Sequence, residues 1–207
     1  MATQELDFGT ERSAAAPELF ISRQPVVDGD MRVSGYRVAY STSDGHEPHD
    51  GSAARLLGDV LSGVGLDELV GASLAHLPLS RDVLLALGVP PVRPDRVMLR
   101  IDYETALDPA VSKTIEALTS RGYALSLYDL PRADFDASLL DRFGTVELDF
   151  GGWDEGDMAV AVPRIIGGRG MPLATGLIDY TNFEHAKALG FELFAGPFYA
   201  SRHRAAV

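Results

Sequence analysis

The sequence predicts an α/β fold in which helices cover a parallel sheet, and three observations carry that expectation. From Ala72 onward, short apolar runs alternate with longer amphipathic stretches, joined by brief polar connections. The helical stretches carry start and stop signals of their own. There is also no Gly-x-Gly-x-x-Gly turn, and Gly167-Gly168-Arg169-Gly170 precedes a strand instead of opening a helix, which weakens a dinucleotide-binding reading. Pattern alone leaves an open doubly wound sheet and a (β/α) barrel both standing.

Taken in order, residues 1–18 are mixed in charge, Ala-rich and without a usable period, and read as a flexible lead-in to a single domain over 19–207. Leu19–Val27 and Met31–Ser41 are apolar-rich strands around Asp28-Gly29-Asp30, a strong hairpin signal. Thr42–Gly51 reads as a polar loop and Ser52–Leu61 as a helix, with Ala54, Leu57, Val60 and Leu61 on one face. Strands follow at Ala72–Leu79, Arg96–Ile101, Ala124–Tyr128, Val146–Asp149, Met171–Thr175 and Glu192–Phe194. Helices between them are expected at Ser80–Leu87, Ala106–Arg121, Phe135–Phe143, Trp153–Ile166 and Thr181–Leu189. Asp108-Pro109 supplies an N-cap and an N1 proline, Gly122 a stop, and Thr181 with Glu184 a capping-box pattern.

Composition narrows the function classes. Hydrophobic residues make up 46% and charged residues 23%, ordinary for a globular domain. A net charge of -12 repels phosphate backbones, and only two of the basic residues are Lys, so no basic patch offsets it and no nucleic-acid partner is expected. Cys is absent, which removes disulfides, thiolate metal sites and Cys nucleophiles together. No apolar run approaches the roughly 20 residues of a membrane span, and the polar, acidic N-terminus has no signal-peptide pattern, so no membrane and a cytoplasmic location are expected. Ser80, Ser126 and Ser201 lack a His and acid in motif context, and His46 and His49 in their acidic loop read as solvated surface before a Zn²⁺ site. His76 on an apolar strand reads as a satisfied core or rim residue.

Three segments, RQPVVDGDMRVSGYRVAY (Arg23–Tyr40), LSLYDLP (Leu125–Pro131) and LGFELFAGPFYASR (Leu189–Arg202), resemble the EAL family of cyclic di-GMP phosphodiesterases, and most of all the EAL modules that precede an HDOD regulatory domain. The resemblance spans roughly Phe20–Arg202 and implies a TIM-like barrel, with Leu19–Val27 as an extra antiparallel strand and the catalytic groups at strand ends. It also implies a closing helix or a second domain after the last segment. Only Arg202–Val207 follow, so a barrel incomplete at its C-terminus, with an apolar flank that favours association, is expected.

Position by position, the resemblance implies lost chemistry. The metal-binding Glu of the first motif is Arg37, the phosphate-holding Arg is Ser41, the metal-binding Asn is Pro78 and the next metal Glu is Arg100. Of the paired Asp residues, Tyr128 replaces the first and Asp129 remains. The Lys beside the attacking water is Glu147, the sixth-strand Glu is Thr175 with Ile178 for the Glu after it, and the base-side Gln is Ala195. Guanidinium groups cannot ligate Mg²⁺ or Mn²⁺, which take oxygen donors. A catalytically inactive domain without cofactor, acting in bacterial signalling with a protein partner or a second copy, is therefore the leading expectation. Two alternatives remain open. Arg37, Arg100 and Asp129 could line a pocket for cyclic di-GMP or another anion, against which stands the expectation that both arginines pair with Asp102 or Glu104. Asp102, Asp129 and Asp149 could form a rebuilt metal site, against their commoner use as caps.

Overall fold

The computed structural model describes residues 19–42, 58, 65–132, 135–168 and 170–199. Its eight strands are β1 (Leu19–Asp28), β2 (Val33–Thr42), β3 (Leu74–Pro78), β4 (Val97–Asp102), β5 (Ala124–Tyr128), β6 (Thr145–Asp149), β7 (Met171–Thr175) and β8 (Leu193–Ala195). They close into one barrel in sequence order. β1 runs antiparallel to both of its neighbours, β2 and β8, whereas every other pair is parallel. The antiparallel strand is thus the stave that completes the ring.

The first hairpin forms where Asp-Gly predicted it, through a different device. The Asp28 carboxylate accepts hydrogen bonds from the amides of Asp30 and Arg32, each at 2.9 Å. The residue in the left-handed region is Met31, with φ 65°. Lys187 donates to the Gly29 carbonyl at 2.8 Å, which ties this turn to the last helix.

Six helices are described: α1 (Leu66–Val70), α2 (Arg81–Leu87), α3 (Tyr103–Leu107), α4 (Pro109–Ser120), α5 (Glu155–Gly167) and α6 (Tyr180–Ala188). Side-chain caps start five of them. Ser80 accepts from Val83 N, Asp102 from Thr105 N, Asp108 from Ala110 N, Asp154 from Asp157 N and Asp179 from Asn182 N. The Thr181–Glu184 capping box is therefore corrected: Asp179, two residues earlier, makes the cap. The helix expected over Ala106–Arg121 is two helices broken at Asp108, which ends α3 and caps α4. The helix expected near Phe135–Phe143 is a 3₁₀ segment over Ala137–Arg142. α1 was not expected: it is short and lies between Gly65 and Gly71. Nearly all of the predicted Ser52–Leu61 helix lies outside the described residues, as do 43–50 of the polar loop with His46 and His49. The lead-in 1–18 and everything after Tyr199, Ser201 included, lie outside them too.

Alternation along the strands builds two interiors. Val97, Leu99 and Ile101 of β4 are fully buried against the helix layer, as are Leu77, Leu127, Val146, Leu148 and Ala174 of other strands. The alternate residues point into the barrel. There the apolar content shrinks to Val26, Leu173, Leu193 and Ala195. Six of the seven buried polar residues sit at such strand positions: His76, Arg100, Ser126, Thr145, Glu147 and Thr175. Beside β8, Phe183 of α6 stacks on Phe198 at 5.3 Å and meets Phe194 edge-on at 4.7 Å. The chain after β8 is held against the end of β7 by Phe198 N donating to Leu177 O. Gly196 is required there, because a Cβ would collide with the Leu177 carbonyl. No helix among the described residues is long and apolar enough to cross a membrane.

Candidate functional site

The strand ends place Arg37 on β2, Pro78 on β3, Arg100 on β4, Tyr128 and Asp129 at the end of β5, Glu147 and Asp149 on β6 and Thr175 on β7. Pro78 and Ser126 flank Arg100 in the sheet register. A cavity of about 350 Å³ opens at this rim, lined among others by Arg37, Arg100, Tyr128, Asp129, Glu147 and Thr175.

Its floor is a charge network. Arg100 grips Glu147 with both ends of its fork, Nε to Oε1 at 2.7 Å and Nη2 to Oε2 at 2.9 Å. Ser126 Oγ donates to the same Oε1 at 2.8 Å. Arg37 Nη2 lies 3.6 Å from Oε2, and its Nη1 donates to Gln24 Oε1 at 3.4 Å. The Arg100 guanidinium also sits 4.6 Å from the centre of the Tyr128 ring. Both arginines are therefore paired, as expected, but the partner is corrected. Asp102 instead caps α3 and Glu104 is exposed, while Glu147 reaches Arg100 from two strands away and Arg37 from across the barrel.

The electrostatics follow from burial and this pairing. Burial by itself would raise the Glu147 carboxyl, but Arg100, Arg37 and the hydrogen bonds from Arg100 and Ser126 outweigh it and hold it at about 2. His76, one register step from Arg37, is lowered to about 4, first by burial; Glu147 opposes this, and Arg100 and Arg37 add to it. Its Nδ1 is buried with no hydrogen-bond partner among the described residues, so the expectation of a satisfied histidine is corrected. Desolvation pushes the Tyr128 hydroxyl up to about 12. Asp129 has φ 56°, and its carboxyl is raised by partial desolvation, with Arg100 pulling the other way.

The groups present do not suit a divalent metal centre at the family positions: two are guanidinium groups, one is a proline, and Glu147 is saturated by donors. Of the alternative trio, Asp102 is a cap and Asp149 accepts from Gly151 N at 3.4 Å. No group of three or more acidic or His side chains that could hold a metal ion occurs among the described residues. Thr175 Oγ1 donates to the Leu148 carbonyl at 3.3 Å. Gln24, the second partner of Arg37, and Trp153, which lines the cavity, were not singled out from the sequence, and Ser126 was considered only as a nucleophile. Inward-facing polar residues on apolar strands were the signal available for Gln24 and Ser126.

No family model matches the sequence, and no curated protein matches it either. Solved structures do match the fold. A standalone versatile EAL protein from Vibrio cholerae O395, in its c-di-GMP-bound form, is 18% identical over 88% of this chain and 91% of that one, with a TM-score of 0.64. An EAL domain protein from Listeria monocytogenes EGD-e is 13% identical over 91% of this chain and 93% of its own, with a TM-score of 0.66. Klebsiella pneumoniae BlrP1, in a manganese and cyclic di-GMP complex, is 20% identical over 87% of this chain, which spans 56% of its length at a TM-score of 0.63. With a closed eight-stranded barrel whose first strand is antiparallel, this chain has the fold of the EAL domains.

Proposed function

We propose that this chain is a non-catalytic EAL-type domain, acting in bacterial signalling through a protein partner or a second copy of itself, in the cytoplasm. The observation that carries this reading is the Arg100–Glu147–Arg37 network, which fills the strand-end centre with its own counter-charges. The resemblance places metal-binding Glu residues where these arginines stand and a Lys where Glu147 stands. All three charges are thus reversed together, which keeps a paired core while removing the chemistry. Metal-assisted hydrolysis needs oxygen ligands that polarise the phosphate and generate hydroxide, and the positions the resemblance assigns to them hold two guanidinium groups, a proline and a Glu147 already taken up by donors. The same pairing argues against an anion receptor, because Glu147 holds the fork of Arg100 and draws Arg37 to the same carboxylate.

The test is incubation with cyclic di-GMP and Mg²⁺ or Mn²⁺. No linear dinucleotide is expected at any protein concentration. Product that rises with protein and vanishes with chelator would overturn the reading.

A further inference from the structure

The network on the cavity floor commits both of its guanidinium groups to Glu147 and leaves the two aspartates of the rim outside it. Arg100 gives two hydrogen bonds to Glu147, and Arg37 is shared between Glu147 and Gln24. Among the described residues, the Asp129 carboxylate and the Tyr128 hydroxyl, which line the same cavity, receive no hydrogen bond, and Asp149 receives only the long one from Gly151 N. The Trp153 ring forms part of the wall, and Arg132 is exposed at the mouth. Just beyond Thr175 on the same rim stands Ile178, 68% exposed, where the resemblance implies an acid. An apolar side chain beside a cavity whose aspartates stand outside the floor network has the anatomy of a protein-docking rim around a pocket for one anchoring side chain.

We propose that this cavity receives a basic side chain, Arg or Lys, of a partner protein, with Ile178 packing against an apolar residue next to it. Asp129 and Asp149 would accept from the cation, and Trp153 would meet its stem or its guanidinium plane, Tyr128 already being covered by Arg100. The net charge of -12 draws a basic partner toward this surface and repels an acidic one. A volume of about 350 Å³ admits a long side chain and excludes a folded element. The proposal rests on the non-catalytic reading and fails separately from it: hydrolysis of cyclic di-GMP would end that reading without touching the titration below.

Trp153 is the only tryptophan, so fluorescence excited at the red edge, where the seven tyrosines do not absorb, reports on a residue of this cavity. The full chain is titrated with the blocked tripeptides Gly-Arg-Gly, Gly-Lys-Gly and Gly-Ala-Gly, and with guanidinium chloride at matched concentration. A saturable change with the Arg and Lys peptides only, half-complete below about 10 mM, is the expected result. Asp129→Asn, a residue type that tolerates the left-handed backbone at this position, should weaken binding about tenfold with thermal stability kept. Arg132→Ala, which removes an exposed cation from the mouth, should tighten it about threefold. An equal response to the Ala peptide, no response at all, or weaker binding in Arg132→Ala would overturn the proposal. A response to guanidinium chloride as strong as to the Arg peptide would assign the cavity to a free cation and overturn the protein partner.

Discussion

Glu147 is the side chain on which the inner barrel depends, because it is the counter-charge of two buried or half-buried guanidinium groups. Removing one partner of a buried ion pair strands the others in low dielectric, at a cost of about 3–5 kcal/mol. Glu147→Ala should therefore lower stability to urea by about that amount, and an Arg100→Met/Glu147→Gln cycle should show coupling on the order of 1–3 kcal/mol. Additive effects in the cycle would mean that the pair is decorative. Acid should act in two windows. His76 is about 4 in the folded chain against 6.5 when unfolded, so the unfolded chain binds its proton first and stability falls as pH drops from about 6.5 to 4. Glu147 is about 2 against 4.5, so its contribution is whole above about 4.5 and drains away as pH falls toward 2. Denaturation followed across pH should show the upper window vanish in His76→Gln and the lower one in Glu147→Gln. At this scale the sequence brought Arg37, Pro78 and Arg100 to neighbouring strands but named the wrong partner for the arginines. Asp102 and Glu104 are near in sequence. Glu147 lies 47 residues from Arg100, and only the stagger of the closed barrel brings them together.

Four of the six helices owe their starts to Asp side chains at the ends of strands and loops, and a fifth to Ser80, which is why strand and helix positions were largely legible. Ala124–Tyr128 and Met171–Thr175 coincide with their predicted bounds, and Asp108-Pro109 marks a true helix start. Errors arose where two signals competed. Thr181 with Glu184 satisfied a capping-box pattern, yet Asp179 holds the amide of Asn182 at 2.8 Å, and Asn182 in turn accepts from Ile178 N. A carboxylate also interacts favourably with the positive end of the helix, which a threonine cannot do. Asp179→Ala should thus cost about 1 kcal/mol in chemical denaturation, whereas Thr181→Ala should be nearly neutral. The reverse order would restore the capping box. α1 escaped because five residues between glycines give no period to read.

At the scale of the whole molecule, alternation of strands and helices gave the class, but the closed ring was legible only through the resemblance. Strand pattern does not record whether the last strand meets the first. Closure here depends on three register pairs between β1 and β8, and on Gly196 letting the following segment approach β7. What fills such a ring must be neutralised, because water is scarce inside it. A metal-dependent domain of this shape gathers acids that repel one another until cations bind. This chain gathers Arg37 and Arg100 around the shared carboxylate of Glu147, an arrangement held together by attraction at folding without a metal. Its stability should therefore be indifferent to divalent cations. A ligand that binds only the folded state raises its stability by RT ln(1 + [L]/Kd), about 2.7 kcal/mol at a hundredfold excess over Kd. Thermal melts with millimolar Mn²⁺, Mg²⁺ or chelator should superimpose, and they should do so for Asp102→Asn, Asp129→Asn and Asp149→Asn as well. A rise in Tm with Mn²⁺ that disappears in any one of these three variants would reveal a rebuilt carboxylate site at the rim and return the chain to metal chemistry.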